Sequence, residues 1–345
     1  MARAPVLTFT DRGIFCPAGG FHIDPWRPVD RALITHGHSD HARPGHGRYL
    51  CTRQAAPVIR HRLGPVRLEM LTYGETRRIG GVTVSFHPAG HVPGSAQIRV
   101  EQDGEVWVAS GDYKVCADGL CEPFEPVACH SFISECTFGL PVFRWEPQEE
   151  VLARINRWWA ANAAEGRISI LGAYALGKAQ RILSGLDTGI GPILTHGAVE
   201  TTTEILRSQG YVLPATVAVT AGVSAKSHPR AIVIAPPSAQ ATPWAARFGP
   251  TAAAAFASGW MRLRGVRRRR GAETGFVLSD HADWPGLNAA IRETGAERVF
   301  VTHGYTAVFR RWLESQGYDA GIVQTEYEGE GIDSAQPDTA GDVPE

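Results

Sequence analysis

The run Thr35-His36-Gly37-His38-Ser39-Asp40-His41 follows directly on the apolar stretch Ala32-Leu33-Ile34. An apolar stretch that gives way to three imidazoles and a carboxylate reads as a buried strand opening into a ligand-bearing loop. In an extended segment, side chains two apart share a side, so His36 and His38 reach one metal together. A turn at Ser39 then lets Asp40 and His41 face a second metal nearby. Imidazole nitrogen and carboxylate oxygen are the donors of open catalytic zinc sites. A solvated histidine-rich loop is the plain alternative, and four donors at this spacing argue against it.

Two metals need more donors than one loop supplies. His91 stands in Ala89-Gly90-His91-Val92-Pro93-Gly94-Ser95, after the alternating stretch Val82-Thr83-Val84-Ser85-Phe86. Asp112 stands in Ser110-Gly111-Asp112-Tyr113 after Val106-Trp107-Val108-Ala109, and His303 in Val301-Thr302-His303-Gly304 after Arg298-Val299-Phe300. Each ends an expected strand beside a glycine, which lets backbone approach closely. A single strand-end histidine is ordinarily structural; three such places plus the first loop form a constellation.

These residues resemble the metallo-β-lactamase fold, and further motifs resemble its nucleic-acid-cutting branch, the β-CASP nucleases. Phe132-Ile133-Ser134-Glu135 matches the carboxylate that ends the next strand in that branch. Leu278-Ser279-Asp280-His281-Ala282-Asp283 and Val301-Thr302-His303-Gly304 match two histidine motifs that return after a long insertion. Gly172-Ala173-Tyr174-Ala175-Leu176-Gly177-Lys178-Ala179-Gln180 resembles a stretch of the inserted domain, and the likeness runs from about Leu7 to Tyr327. More narrowly, Phe256-Ala257-Ser258-Gly259-Trp260-Met261 with Ser279-Asp280-His281-Ala282-Asp283-Trp284 is similar to bacterial exonucleases associated with DNA ligases in damage response.

The resemblance implies an α/β chain: a metallo-β-lactamase αββα sandwich with an inserted parallel α/β β-CASP domain. It implies two Zn2+ ions, with Mn2+ as the alternative. His36, His38 and His91 would hold one, Asp40, His41 and His303 the other, and Asp112 would bridge both. Asp24, in Phe21-His22-Ile23-Asp24, resembles the family's first-motif aspartate and would orient a ligand from behind. Metal-activated water would attack phosphorus in line. His281, oriented by Glu135, would protonate the departing sugar oxygen and leave a 5′-phosphate.

Net charge is −1, so the chain as a whole is no polycation. Only three of its 34 basic residues are lysine (Lys114, Lys178, Lys226), a bias that phosphate binding and genome composition explain equally. Arg262, Arg264, Arg267, Arg268, Arg269 and Arg270 lie close together upstream of His281. They read as a nucleic-acid contact, with Arg262 and Arg264 as substrate-binding candidates, or as a solvated turn. Lys178 starts a helix beside Gly177, where a phosphate can sit or the helix can simply be capped. Trp260 could stack on a base or fill the core. His196 could touch substrate or close a strand, and His22, His46, His61, His87, His130 and His228 match no ligand position.

Residues 1–139 read as the first part of the metallo domain, short β-rich segments with one helix near Gln54–Leu63. Residues 140–273 read as the insertion. There a helix after Pro147 presents Val151, Leu152, Ile155, Trp158 and Trp159 on one face. Strands at 168–171, 193–195 and 232–234 then alternate with helices from Leu176 and from Val199 to Ser208, the rhythm of a parallel sheet. Residues 274–328 read as the second metallo part, and 329–345 as a polar tail expected to be disordered. Because donors lie on both sides of the insertion, the site is expected at the floor of a cleft between the two domains.

No stretch of eighteen apolar residues suits a membrane span, and Met1-Ala2-Arg3-Ala4-Pro5 lacks a signal-peptide core. Six cysteines without a C-x-x-C pair fit reduced thiols in the cytoplasm, Cys129 and Cys136 serving as packing. The favoured activity is hydrolysis of single-stranded DNA in repair, as an exonuclease with a DNA ligase and a helicase as candidate partners. RNA processing with the same site is the alternative, and His303 favours it, since RNA-acting β-CASP members usually carry histidine there. A small-molecule metallohydrolase would leave the insertion, the arginines and the His281–Glu135 pair unused. A metal-free scaffold would leave every donor position filled without purpose.

Overall fold

The structure is a computed structural model that describes residues 5–240, 242–269 and 274–325. The expected tail, 329–345, lies outside the described residues, as do Arg270 and the side chains of Arg267, Arg268 and Arg269. The chain is a mixed α/β protein in two compact units. One runs up to Arg144 and resumes at His281; the other spans Trp145–Asp280.

The first unit holds two sheets. In one, the strands Thr8–Thr10, Gly13–Cys16, Phe21–Ile23, Arg31–Leu33, Arg48–Thr52 and Leu68–Leu71 lie side by side in chain order. The other is mixed, in the order Asp319–Ile322, Arg298–Gly304, Ser131–Cys136, Glu105–Ala109, Ala96–Gln102, Val82–Pro88 and Thr76–Ile79. Two-residue periodicity decides which side chains meet. Leu33 and Leu50 of the first sheet share a core with Val84, Phe86, Ile98, Val100 and Ile133 of the second. The opposite face of the first sheet, with Ala32, Ile34 and Tyr49, packs on Ala56 and Ile59 of the helix Ala56–Leu63. That of the second, with Val108, Phe132 and Val299, packs on Leu287 and Ile291 of Trp284–Thr294 and on Phe309 and Leu313 of Thr306–Ser315.

The second unit is built on an all-parallel sheet in the order Val217–Ala218, Ile193–Thr195, Ile232–Ala235, Ser169–Gly172, Ala253–Ala257 and Thr274–Phe276. Its central strands Ser169–Gly172 and Ile232–Ala235 are buried throughout, as expected of apolar runs covered on both faces. Leu171, Ile232 and Ile234 enter one core with Val151, Ile155 and Trp159 of the helix Gln148–Ala164, which starts after Pro147. Ile170, Val233 and Leu194 enter another.

Thr274–Phe276 adds to the parallel sheet of the second unit, pairing Ala255 with Thr274, and that unit begins at Trp145. Trp260 lies in the 3-10 turn Gly259–Arg262, after the strand Ala253–Ala257 has ended.

Candidate metal centre

Strand direction gathers the donors. Glu105–Ala109, Ser131–Cys136 and Arg298–Gly304 run parallel, so Asp112, Glu135 and His303 come off one edge of their sheet. The register there shifts: Glu135 pairs with Thr302 but Cys136 with Gly304, which leaves His303 as an extra residue in a bulge. Bulges turn a side chain out of the strand's alternation. His303 adopts φ 57°, a left-handed conformation that costs a histidine about 1–3 kcal/mol. Gly304 makes the bend feasible, since a Cβ there would lie 2.4 Å from the Thr137 backbone. Gly111, at φ +57°, does the same for the first loop: a Cβ would meet the Thr35 side chain at 2.6 Å. The loop's far side is held by Arg62, whose guanidinium donates to the Gly37 carbonyl.

Among the described residues three donor groups share Asp112, the third being Asp112 with Glu135 and His281; the other two gather expected metal ligands. His36, His38, His91 and Asp112 form the first. His38 Nδ1 lies 3.1 Å from both His36 Nε2 and His91 Nε2, and Asp112 Oδ2 lies 3.7 and 3.8 Å from those two atoms. Bonds of 2.0–2.1 Å to a tetrahedral zinc set donors about 3.3 Å apart, so these spacings fit one ion. His41, Asp112 and His303 form the second group. Asp112 Oδ2 is 3.4 Å from His41 Nε2, and Asp112 Oδ1 is 3.5 Å from His303 Nδ1. Asp112 belongs to both. Asp40, whose carboxylate is 3.7 Å from His41 Nε2, lines the same cavity of about 50 Å3 but stands outside the tight group.

Buried polar atoms without partners test whether a cation suits the place. His41 Nε2, Asp112 Oδ1 and His303 Nδ1 are all buried and make no hydrogen bond. A buried polar atom left so costs about 1–3 kcal/mol, and three facing one another fit a shared cation. The electrostatics agree. Burial, then the neighbouring imidazoles of His41, His91 and His38, hold His36 well below the usual histidine range, in the neutral form a metal requires. Burial, the largest single influence, would raise Asp112, but the His41 charge with the contributions of His303 and His281 together outweigh it and hold the carboxyl well below its ordinary value. His41 is pushed well above the usual range, because Asp112, Asp40 and Asp24 together overcome its burial. A proton there stands where a metal charge would.

Beside these groups His281 Nδ1 donates to Glu135 Oε1 at 2.7 Å, both residues being buried. Glu135 also accepts from the backbone N–H of Tyr113 at Oε1 (3.2 Å) and of Thr137 at Oε2 (3.1 Å). Asp24, at φ 42°, accepts from His41 Nδ1 at 2.8 Å.

The substrate-binding candidates divide. Arg262 and Arg264 are exposed. Lys178 is not at the surface: it is fully buried, with Nζ 3.5 Å from Asp280 Oδ2, and the Gly177 N–H is taken by Gln180 Oε1. Trp260 is 4% exposed and packs rather than offering a face. His196 caps the helix Gly197–Ser208 by accepting from the Ala198 N–H. His46, His87, His130 and His228 are bound by hydrogen bonds away from the donors.

Two groups escape sequence reasoning. Arg181 is fully buried and donates to Asp280 Oδ1 at 2.6 Å and to the Ser279 carbonyl at 2.9 Å. Thr35 touches Asp24 and His36 together. The place of Thr35 at the head of the histidine loop was the one signal available.

No family model matches the chain. Over 344 residues it is 30% identical to a probable DNA ligase of Opitutus terrae, an alignment covering 96% of this chain and 32% of that protein. It is 29% identical over 196 residues to a ribonuclease of Thermus thermophilus, covering 49% of this chain and 45% of the relative. The chain thus spans about a third of the one and less than half of the other. Among solved structures, a protein of unknown function from Enterococcus faecalis superposes with TM-score 0.57 at 10% identity, over 87% of this chain and 80% of that one. That likeness concerns the fold alone.

Proposed function

We propose that this chain, whose relatives fit a β-CASP nuclease of the metallo-β-lactamase fold, is a dinuclear-metal phosphodiesterase that hydrolyses single-stranded DNA in repair. The two sheets with helices on their outer faces are read as the αββα sandwich, and the Trp145–Asp280 unit as the inserted β-CASP domain. The observation that carries the activity is the sharing of Asp112 between two donor groups, with the hydrogen-bonded His281–Glu135 pair beside it.

His36, His38, His91 and Asp112 would hold one Zn2+ (or Mn2+), and His41, His303, Asp112 and Asp40 the other. Bound cations would lower the pKa of water and neutralise the charge gathering on the phosphate. Glu135 takes the Nδ1–H of His281, which leaves Nε2 to give a proton to the departing sugar oxygen. Without that proton the alkoxide is a poor leaving group at neutral pH. Loss of the 3′ oxygen leaves the 5′-phosphate on the product. Arg262 and Arg264 would neutralise the strand's phosphates.

The ligase-named relative, aligned along nearly the whole chain, favours DNA and a ligase as functional partner; a helicase rests on the family resemblance alone. RNA processing is the second reading, favoured by His303 and by the ribonuclease relative. Six free thiols fit a reducing cytoplasm, and no helix among the described residues is long and apolar enough to cross a membrane. Matched end-labelled DNA and RNA oligonucleotides, incubated with the protein and Zn2+ or Mn2+, test the proposal. Stepwise shortening of single-stranded DNA to 5′-phosphate products is expected. Cleavage of RNA alone would transfer the conclusion to RNA, and cleavage of neither would end it.

A further inference from the structure

Proton accounting around Thr35 gives this residue a task. The Asp24 carboxylate accepts the Thr35 backbone N–H at Oδ1 (2.8 Å) and His41 Nδ1–H at Oδ2 (2.8 Å). Thr35 Oγ1 lies 2.5 Å from Asp24 Oδ2 and 3.0 Å from His36 Nδ1. A hydroxyl carries one proton, and an ionised carboxylate only accepts. Were that proton aimed at His36, two acceptor oxygens would face each other at 2.5 Å with nothing between them. The proton therefore goes to Asp24, at a separation typical of a charge-assisted bond. The lone pairs of Oγ1 are then left for His36 Nδ1, which must be the protonated nitrogen. The unprotonated Nε2 is the atom turned toward His38, His91 and Asp112. His36 is fully buried, so water offers its ring no alternative partner.

We propose that Thr35 is a positioning residue: its hydroxyl relays the Asp24 charge to His36, fixing the tautomer that presents Nε2 to a metal. Asp24 does the same for His41 directly, so one carboxylate sets a donor in each group. The inference rests on reading His36, His38, His91 and Asp112 as a metal site. It adds that a threonine methyl or a valine of equal size cannot replace the hydroxyl.

The test titrates Zn2+ into the full chain against a chromophoric chelator, for the wild type, Thr35→Val and Thr35→Ser. Thr35→Val is expected to weaken Zn2+ binding about ten- to a hundred-fold, and Thr35→Ser, which keeps the oxygen, to restore most of it. Equal binding by Thr35→Val and wild type overturns the proposal alone. A wild-type chain that takes up no Zn2+ overturns the site reading and the proposal with it. Ring-nitrogen NMR of metal-free wild type needs no variant to fold: the His36 proton is expected on Nδ1, and finding it on Nε2 overturns the relay.

Discussion

Replacing Glu135 by glutamine changes one atom and removes one charge, yet its consequences are specific. Glu135 accepts from His281 Nδ1 and the Tyr113 N–H at one oxygen, and from the Thr137 N–H at the other. A glutamine has a single acceptor oxygen. Whichever way its amide is turned, an NH2 group meets at least one buried donor, which costs about 1–3 kcal/mol. For a chain of this size that lowers the melting temperature by a few degrees, so the variant should still fold. His281 loses the carboxylate that stabilises its protonated form. Proton donation to a leaving group contributes about 10²–10⁴-fold, and most of this should vanish for an oligonucleotide. A bis(p-nitrophenyl) phosphate substrate releases a stable phenolate that needs no proton, so its hydrolysis should fall less than about tenfold. Both substrates are assayed with bound metal measured alongside. An undiminished rate on the oligonucleotide, or equal losses on both substrates at unchanged metal content, refutes the assignment of His281 as proton donor.

Other outcomes are expected from the same geometry. Arg181→Ala removes one of the two cations at the buried Asp280 carboxylate and leaves Lys178, so it should cost about 1.5–3 kcal/mol in denaturant unfolding; a loss within error would mean the pair is not buried in solution. Gly111→Ala places a side chain at φ +57° against Thr35 and should cost about 1–2 kcal/mol together with Zn2+ affinity, read by melting and chelator competition. In the metal-free chain the pKa of His41 stands well above 6.5, so His41 is protonated at neutral pH and Zn2+ must displace that proton. Affinity should therefore rise about tenfold per pH unit from 6.5 toward the raised pKa, and calorimetry in two buffers should find about one proton released. The stability that His41 lends the metal-free chain is fully present below pH 6.5 and is lost as pH rises through the raised value. Proton uptake on binding would contradict this.

The donors were legible because their chemistry is local: residue type, glycine neighbours and an apolar run before each are all written in short segments. The helix after Pro147 was legible for the same reason, its periodicity being set by one buried face, and the strand Ile193–Thr195, buried throughout, as a short apolar run. What sequence could not supply is how separate segments meet. The bulge that turns His303 arises from a register shift against Ser131–Cys136, two strands far apart in the chain. Lys178 read as a phosphate contact or a helix start, and Arg181 gave no signal, until Asp280 is found beside them in the interior. The short strand Thr274–Phe276, with its central glycine, has no alternation to reveal that it extends the parallel sheet. Thr35 carried no reading of its own, because a hydroxyl's role depends on which carboxylate lies across from it.

Anomalous diffraction from crystals grown with Zn2+ addresses the central claim most directly. Two peaks are expected, one bounded by His36, His38, His91 and Asp112 and the other by His41, Asp112 and His303, with Asp112 touching both. No peak in either group, or an ion bound only elsewhere on the chain, would contradict the account.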